Sequence, residues 1–381
     1  MKVVAVFPEP TPYRAPLLDL VAACPDIELT VAYAARTVAS RTWEVPIHHP
    51  AVFLHGYPVP GARRVLRHDY PVTPSIVSLL QRTRPDCVVV SGWSMFASQA
   101  AIAWCRVRRV PYLLVVESHD RDPRAAWRKT IKGAVVPRVV RGAAGVLVTG
   151  QLVRESMIRR GADPGRIGVF ANTVDVERFA RESDRLRVRR DELRHLLGLQ
   201  PGDFAVLCVA RLVEEKGLDT LLRACARAGA PVIPVLVGEG PERKRLEELA
   251  SSLDLRVVMA GNLPWERIVE AYVACDVFAL LSRHEPWGVV VNEAASCALP
   301  LVLSEHVGAA YDLLRDGENG RLVPVDDVAA AAEALRELQD EPARRQAAVR
   351  SREIAGEWGY GPSLEAFVSS VHAAVAARSI E

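Results

Sequence analysis

Short runs of continuous apolar residues alternate along this chain with helix-length stretches in which polar and apolar positions mix. In the first half the runs fall at residues 3–7, 28–33, 87–91, 112–116, 146–149 and 167–170, with helical periodicity between most of them, as at 97–107 and 125–140. A strand that is apolar at every position is buried on both faces, which a parallel sheet covered by helices achieves. The pattern therefore predicts a doubly wound α/β unit. Residues 36–70 break it, because Pro46, Pro50, Pro58 and Pro60, with Pro71 just beyond, interrupt any regular period. That segment is expected to be a mobile loop near an inter-domain cleft.

A second alternation starts after the charged run 178–194. Its strands are predicted at 204–209, 232–237, 257–259, 277–281, 301–303 and 321–323, each separated by a helix-length segment. A βα series restarted after a polar linker implies two Rossmann-like domains, residues 1–180 and 181–357. A ligand is expected between them, at the carboxyl ends of both sheets.

Composition and charge narrow the class. Half of the 381 residues are apolar and a quarter charged, the balance of a soluble globular protein with room for two cores. No apolar run approaches the roughly 18 residues that span a bilayer. The apolar start, Met1 to Phe7, is too short for a targeting region and runs straight into prolines, so a cytoplasmic protein is expected. Seven cysteines, odd in number, scattered and without Cys-x-x-Cys, argue against zinc and against a disulfide framework. The net charge of +2 hides a split: residues 1–180 carry 24 Lys+Arg against 14 Asp+Glu (+10), and residues 181–381 carry 24 against 32 (−8). A basic first half suits an anionic acceptor or an anionic membrane surface at the inner face; solvated faces in a chain that uses Arg for Lys give the same asymmetry. No nucleic-acid partner is expected.

The stretch with most chemistry is Ser282-Arg283-His284-Glu285-Pro286-Trp287-Gly288-Val289-Val290-Val291-Asn292-Glu293-Ala294. Pro286 and Gly288 disfavour helix, so Glu285 is placed on a loop after a strand and the helix start near Gly288, with Glu293 within its first two turns. Free N–H groups from Gly288 to Val290 then form an anion site flanked by two carboxylates, although a strand, a turn and a solvated acidic helix start fit the same stretch. Arg211 and Lys216, in Val209-Ala210-Arg211-Leu212-Val213-Glu214-Glu215-Lys216-Gly217, leave another strand end. Two cations there match a diphosphate, although an exposed Arg and Lys paired with Glu214 or Glu215 fits the same spacing. In Val237-Gly238-Glu239-Gly240-Pro241, Gly238 allows close backbone approach at a third strand-to-helix junction; a plain tight turn reads the same way.

Together, Arg-x4-Lys-Gly, Val-Gly-x-Gly-Pro and Glu-Pro-Trp-Gly-x4-Glu-Ala, in this order, resemble the donor domain of GT-B retaining glycosyltransferases of the family 4, or group 1, type. Asn172-Thr173-Val174-Asp175 is similar to that family's Asn-Gly-Val-Asp, with Thr for Gly. Glu357-Trp358 opens the terminal helix, residues 358–381, which the family packs back on its first domain. The resemblance covers most of residues 145–381. It implies a GT-B fold and transfer of a sugar from a UDP- or GDP-sugar to a glycan, glycolipid or small-molecule glycoside, with retention and with neither metal nor other cofactor. It assigns Arg211 and Lys216 to the donor diphosphate, Glu285 to the transferred sugar, Glu293 to the ribose, the N–H groups near Gly288 and Val289 to the phosphate, and Trp287 to the donor site. Gly238 and the Asn262-Leu263 pair complete the donor side, where the base is read largely by backbone.

On the acceptor side the chain departs from the family. Where relatives carry a histidine after a Val-Pro-apolar strand, Val110 to Val116 here runs into Glu117-Ser118-His119-Asp120, so Glu117 falls at the histidine's place and His119 reaches it only through a bulge. Asp120-x-Asp122 has no third ligand and reads as a solvated loop. A proline-rich loop, Pro8 to Arg14, replaces the family's glycine-rich turn; Tyr13 and Arg14 are candidates to line the acceptor pocket, although a structural turn fits them better, and Trp93 is a further candidate, which reads equally as a core side chain. Acceptor choice falls to residues 8–70 and 92–127. Two other readings stay open: a sugar-nucleotide epimerase on the same fold, and a two-domain protein that closes on a ligand without chemistry.

Overall fold

The computed structural model describes residues 1–36, 45–57, 70–118 and 136–378. The strands of the first half are β1 (Lys2–Phe7), β2 (Glu28–Tyr33), β3 (Ala51–Phe53), β4 (Cys87–Ser91), β5 (Tyr112–Val116), β6 (Gly145–Val148) and β7 (Ile167–Val169). They form one parallel seven-stranded sheet in the order β3-β2-β1-β4-β5-β6-β7. Those of the second half are β8 (Phe204–Val209), β9 (Val232–Val237), β10 (Val258–Gly261), β11 (Val277–Leu280), β12 (Leu301–Ser304) and β13 (Gly320–Val323), in a parallel six-stranded sheet ordered β10-β9-β8-β11-β12-β13. In both sheets the order reverses beside the first strand, which is the doubly wound topology expected.

Burial on both faces explains why the strands read as continuous apolar runs. Val4 and Val6 of β1 enter one core with Val88, Val90, Leu114 and Val116, while Val3, Ala5 and Phe7 enter the opposite one with Val89, Leu113 and Val115. The helix Tyr360–Arg378 closes that second core through Phe367, Val371 and Ala374, with the rings of Phe367 and Phe170 5.2 Å apart. Several helices begin where a short acidic side chain caps the first turn. Asp175 accepts from the N–H of Arg178 at 2.9 Å, and Asp327 from that of Ala330 at 2.9 Å.

Two compact units result, Met1–Asn172 with the terminal helix from Tyr360, and Thr173–Gly359. The division falls at Asn172/Thr173 rather than at 180/181, because the helix Val176–Arg187 packs on the helices Trp265–Ala274 and Val289–Ser296 of the second unit. The strand β3 was not anticipated. It has three residues, lies at the sheet edge and follows Pro50, whose carbonyl accepts the N–H of Val31 at 2.8 Å. Of the helix expected at 125–140, residues 136–141 are described and helical. Among the described residues no helix is long and apolar enough to cross a membrane.

Among the described residues of the first unit, exposed positive charge gathers on the connections that enter β4 to β7. The connections entering β4 to β7 carry Arg82, Arg84, Arg106, Arg108, Arg109, Arg138, Arg141, Arg159 and Arg166, all exposed, against Asp86, Glu155 and Asp163. Arg82, Arg84, Arg108 and Arg109 have no ion-pair partner among the described residues. Favourable placement of cations at helix C-termini does not account for this by itself. The connections entering the corresponding strands β11 to β13 of the second unit carry Arg315 against Asp276, Asp316 and Glu318.

Candidate functional site

In the second unit the sheet order sets β8 beside β11, and the loops that leave their carboxyl ends run side by side. They are laced together. The N–H groups of Arg283 and His284 both donate to the carbonyl of Glu215, at 2.8 and 3.3 Å. Gly217, left-handed at φ +59°, lies so close to β11 that a Cβ would meet the Leu281 carbonyl oxygen at 2.1 Å. Gly238 plays the same part after β9: the expected close approach is to the chain itself, a Cβ falling 2.0 Å from the Ala210 carbonyl oxygen. Such contacts admit only glycine, so both motif glycines serve to bring three strand-end loops together.

This lacing brings Lys216 and Glu285 into contact. The ammonium donates to Glu285 Oε2, and the side chains are 17% and 16% exposed. The backbone of Glu285 is clamped as well: its N–H donates to the His306 carbonyl at 3.2 Å and its own carbonyl accepts from Gly308 at 2.9 Å. Beside it, Arg283 is ion-paired with Asp219 at 2.9 Å and Asp326 at 2.8 Å, which hold its guanidinium well above its ordinary pKa. Arg211 is different. Its side chain is exposed and has no ion-pair partner among the described residues, so the two cations of the motif are not equivalent.

Gly288 caps the helix Val289–Ser296 and is buried, while Val289 is half-buried. Trp287, expected to touch the donor, is only 4% exposed. Its indole N–H donates to Asn292 Oδ1 at 3.0 Å and its ring lies 5.5 Å from that of Trp358, so its side chain is a strut of the core and its backbone alone is left for a ligand. Asn292 in turn donates to Thr173 Oγ at 3.3 Å, and the Thr173 hydroxyl donates to the Trp358 carbonyl. At the next position, Glu293 Oε2 accepts from the hydroxyl of buried Tyr272 at 2.7 Å. Burial pushes the Glu293 carboxyl up to about 7. Beyond β10, Asn262 is exposed and Leu263 half-buried, and the Gly261 carbonyl accepts from Gly238 at 2.8 Å.

In the first unit the loops after β1, β5 and β7 meet at Arg14. Its guanidinium donates to Glu117 Oε1 at 3.0 Å, to Asn172 Oδ1, and to the carbonyls of Phe170 and Ala171 at 3.2 and 3.3 Å, with its carbon 4.2 Å above the Phe170 ring. Arg14, read as a candidate for the acceptor pocket or for a structural turn, is 3% exposed and ties the three loops together. Glu117 remains 38% exposed, so one face of its carboxylate is presented outward. Tyr13 is half-buried, and Trp93 packs against the core beneath β4. His119, with Asp120 and Asp122, lies outside the described residues. Among those that are described, no group of three or more His, Cys, Asp or Glu side chains is arranged to hold a metal.

Tyr272 escaped the sequence reading, and Asn292 and Thr173, although they stand in its motifs, were given no role of their own. Their contacts with Glu293 and with each other join segments distant in the chain, which no local pattern reports.

Comparison with known proteins matches two family descriptions, "Glycosyl transferases group 1" over residues 189–353 and "Glycosyl transferase 4-like domain" over residues 15–173. A D-inositol 3-phosphate glycosyltransferase of Thermomonospora curvata is 34% identical over 212 residues, 52% of this chain and 49% of that protein. This chain thus spans about half the length of that relative, as it does of similarly named proteins from Rhodococcus and Nocardia. A GDP-mannose-dependent α-(1-6)-phosphatidylinositol monomannoside mannosyltransferase of Mycolicibacterium smegmatis is 29% identical over 301 residues, 74% of this chain and 77% of that one. In fold, the chain resembles Anabaena Alr3699/HepE, solved with UDP and glucose (TM-score 0.72, 20% identity, 98% and 99% of the two chains). Sucrose-phosphate synthase of Thermosynechococcus elongatus is similar at TM-score 0.71 and 19% identity, over 96% and 97%.

Proposed function

The chain belongs to the group 1 glycosyltransferases and has their GT-B α/β fold, and on that premise we propose that it moves a sugar from a nucleoside-diphosphate sugar to an acceptor hydroxyl, with retention and without a metal. The observation that carries the proposal is the Lys216–Glu285 contact at the β8/β11 switch point, beside the start of the helix Val289–Ser296. In an open parallel sheet, ligands bind outside the carboxyl ends of the strands where the order reverses. A cation, a carboxylate and the free N–H groups of a helix start then meet at one place. That set suits a phosphate bonded to a sugar.

The reaction breaks the bond between the anomeric carbon and the phosphate oxygen, and the electron pair stays on the nucleoside diphosphate. Lys216, Arg211 and the N–H groups near Gly288 and Val289 would stabilise that developing charge. Glu285, on its clamped backbone, would accept hydrogen bonds from the sugar hydroxyls, and Glu293 from the ribose. The acceptor oxygen forms its new bond on the same face, and its proton passes to the leaving phosphate. Glu117, held by Arg14 at the end of β5, is the acceptor-side carboxylate of this reading.

The relatives include a GDP-mannose-dependent enzyme, and the fold neighbour was solved with UDP. Both bases therefore stay in the proposal. The acceptor is a glycan, a glycolipid or a small-molecule glycoside. We further propose a cytoplasmic protein in peripheral contact with an anionic membrane, for which the arginines without ion-pair partners among the described residues, on the connections into β4 and β5, are the support.

Calorimetric titration of the purified chain with UDP, GDP, ADP and TDP, with and without excess chelator, tests the donor reading. Selective, chelator-insensitive binding of one diphosphate is expected; binding that needs Mg2+ counts against metal-free action, and no binding by folded protein removes the donor reading. With the matching sugar nucleotide, release of free diphosphate in step with a glycosylated acceptor supports transfer. An isomerised sugar nucleotide would make the protein an epimerase.

A further inference from the structure

We propose that Tyr272 is a positioning residue of the donor site, its hydroxyl fixing the Glu293 carboxylate in the orientation that receives the ribose of a nucleoside diphosphate. The inference rests on the reading of Glu293 given above. Tyr272 lies in the helix Trp265–Ala274 and is fully buried. Its ring is held edge-on to Phe179, with centroids 6.4 Å apart, and tilted against Phe278 at 6.2 Å. Two torsions fixed by aromatic packing make the hydroxyl a stationary donor, and a phenol in such a core needs an acceptor. It finds one on another helix: Glu293 Oε2 at 2.7 Å.

An ionised carboxylate only accepts hydrogen bonds. With Oε2 engaged from inside the core, Oε1 is left for donors from outside, and Glu293 is only partly covered. The two hydroxyls of a ribose are such donors. Burial, together with the neighbouring carboxylate, raises the Tyr272 phenol well above its ordinary value, so it stays a donor at any working pH, while Glu293 titrates near neutrality. The other titratable groups facing the pair are the buried thiols of Cys297 and Cys208. Both are pushed up by burial, and Arg187 and Arg352 act on Cys297.

Titration of the full chain, its Tyr272→Phe variant and its Glu293→Gln variant with UDP and GDP, and with their 2′,3′-dideoxy analogues, tests this. Phenylalanine keeps the ring and its packing, so the variant folds. For the nucleotide that binds, Tyr272→Phe is expected to weaken the ribose form about tenfold and leave the dideoxy form unchanged. The pH midpoint of ribonucleotide affinity should also move upward, because the lost hydrogen bond favours the ionised carboxylate. Equal weakening of both forms with an unmoved midpoint, or no weakening at all, overturns the proposal. A Glu293→Gln variant that no longer needs explaining, binding both forms as the unaltered chain does, would instead remove Glu293 from the ribose. Failure of either nucleotide to bind the folded unaltered chain would remove the donor reading and this inference with it.

Discussion

Replacing Glu285 by Gln keeps the size of the side chain and removes the charge that holds Lys216. The two groups are in contact and mostly buried. Unit charges about 4 Å apart at an effective dielectric near 20 attract by about 4 kcal/mol. Desolvation and the water that still reaches the pair reduce its net worth to about 1–3 kcal/mol. A diphosphate that recruits Lys216 must compete with that attraction and with the negative charge of Glu285 itself. The substitution is therefore expected to tighten UDP or GDP by about 1 kcal/mol, roughly fivefold, as read by calorimetry. Turnover with the matching sugar nucleotide should fall by about a hundredfold or more, since the sugar loses its charged hydrogen-bond acceptor. An affinity that drops as far as in Lys216→Ala would refute the reasoning. Glu285 would then lie on the nucleotide's side of the bond rather than the sugar's.

Arg211→Ala is expected to weaken diphosphate binding by more than about 1 kcal/mol and leave the melting temperature unchanged, because the side chain is exposed and has no ion-pair partner among the described residues; unchanged calorimetric affinity would exclude it from the phosphate site. Arg14→Met should cost about 2–4 kcal/mol in urea unfolding, since it strands Glu117, Asn172 and two carbonyls. A loss below about 1 kcal/mol would mean the three loops hold without it. The folded Glu293 carboxyl sits at about 7, above its ordinary value, so the stability it contributes is complete below about pH 4 and is lost as pH rises through 7. Relative to the unaltered chain, Glu293→Gln should therefore gain unfolding free energy between pH 5 and pH 8, and a difference independent of pH would contradict the burial argument. Vesicles containing anionic lipid should sediment the chain at low salt, and Arg108→Glu with Arg109→Glu should abolish this; equal binding by the double variant would move the contact away from the connection into β5.

The sequence by itself determined the elements and the topology class. Strands buried on both faces must be apolar at successive positions, so β1, β4, β5, β8, β9 and β11 are visible as unbroken runs, and the polar restart before β8 marks the second unit. The same local logic located Glu285 on a loop, Glu293 on a helix and Gly238 at a close approach. What it could not supply was partnership. Lys216 meets Glu285 across 69 residues and Arg14 meets Glu117 across 103, and each pairing exists only because a parallel sheet aligns strand ends that the chain separates. Burial was decided at the same level. Arg14 reads as a turn residue or an acceptor-pocket candidate until the loops after β5 and β7 enclose it, and Trp287 reads as a ligand contact until Asn292 and Trp358 take up its edge and its face. Periodicity reports which side of an element is covered; what covers it, and which polar atoms are satisfied there, depends on contacts between distant segments that only the folded chain makes.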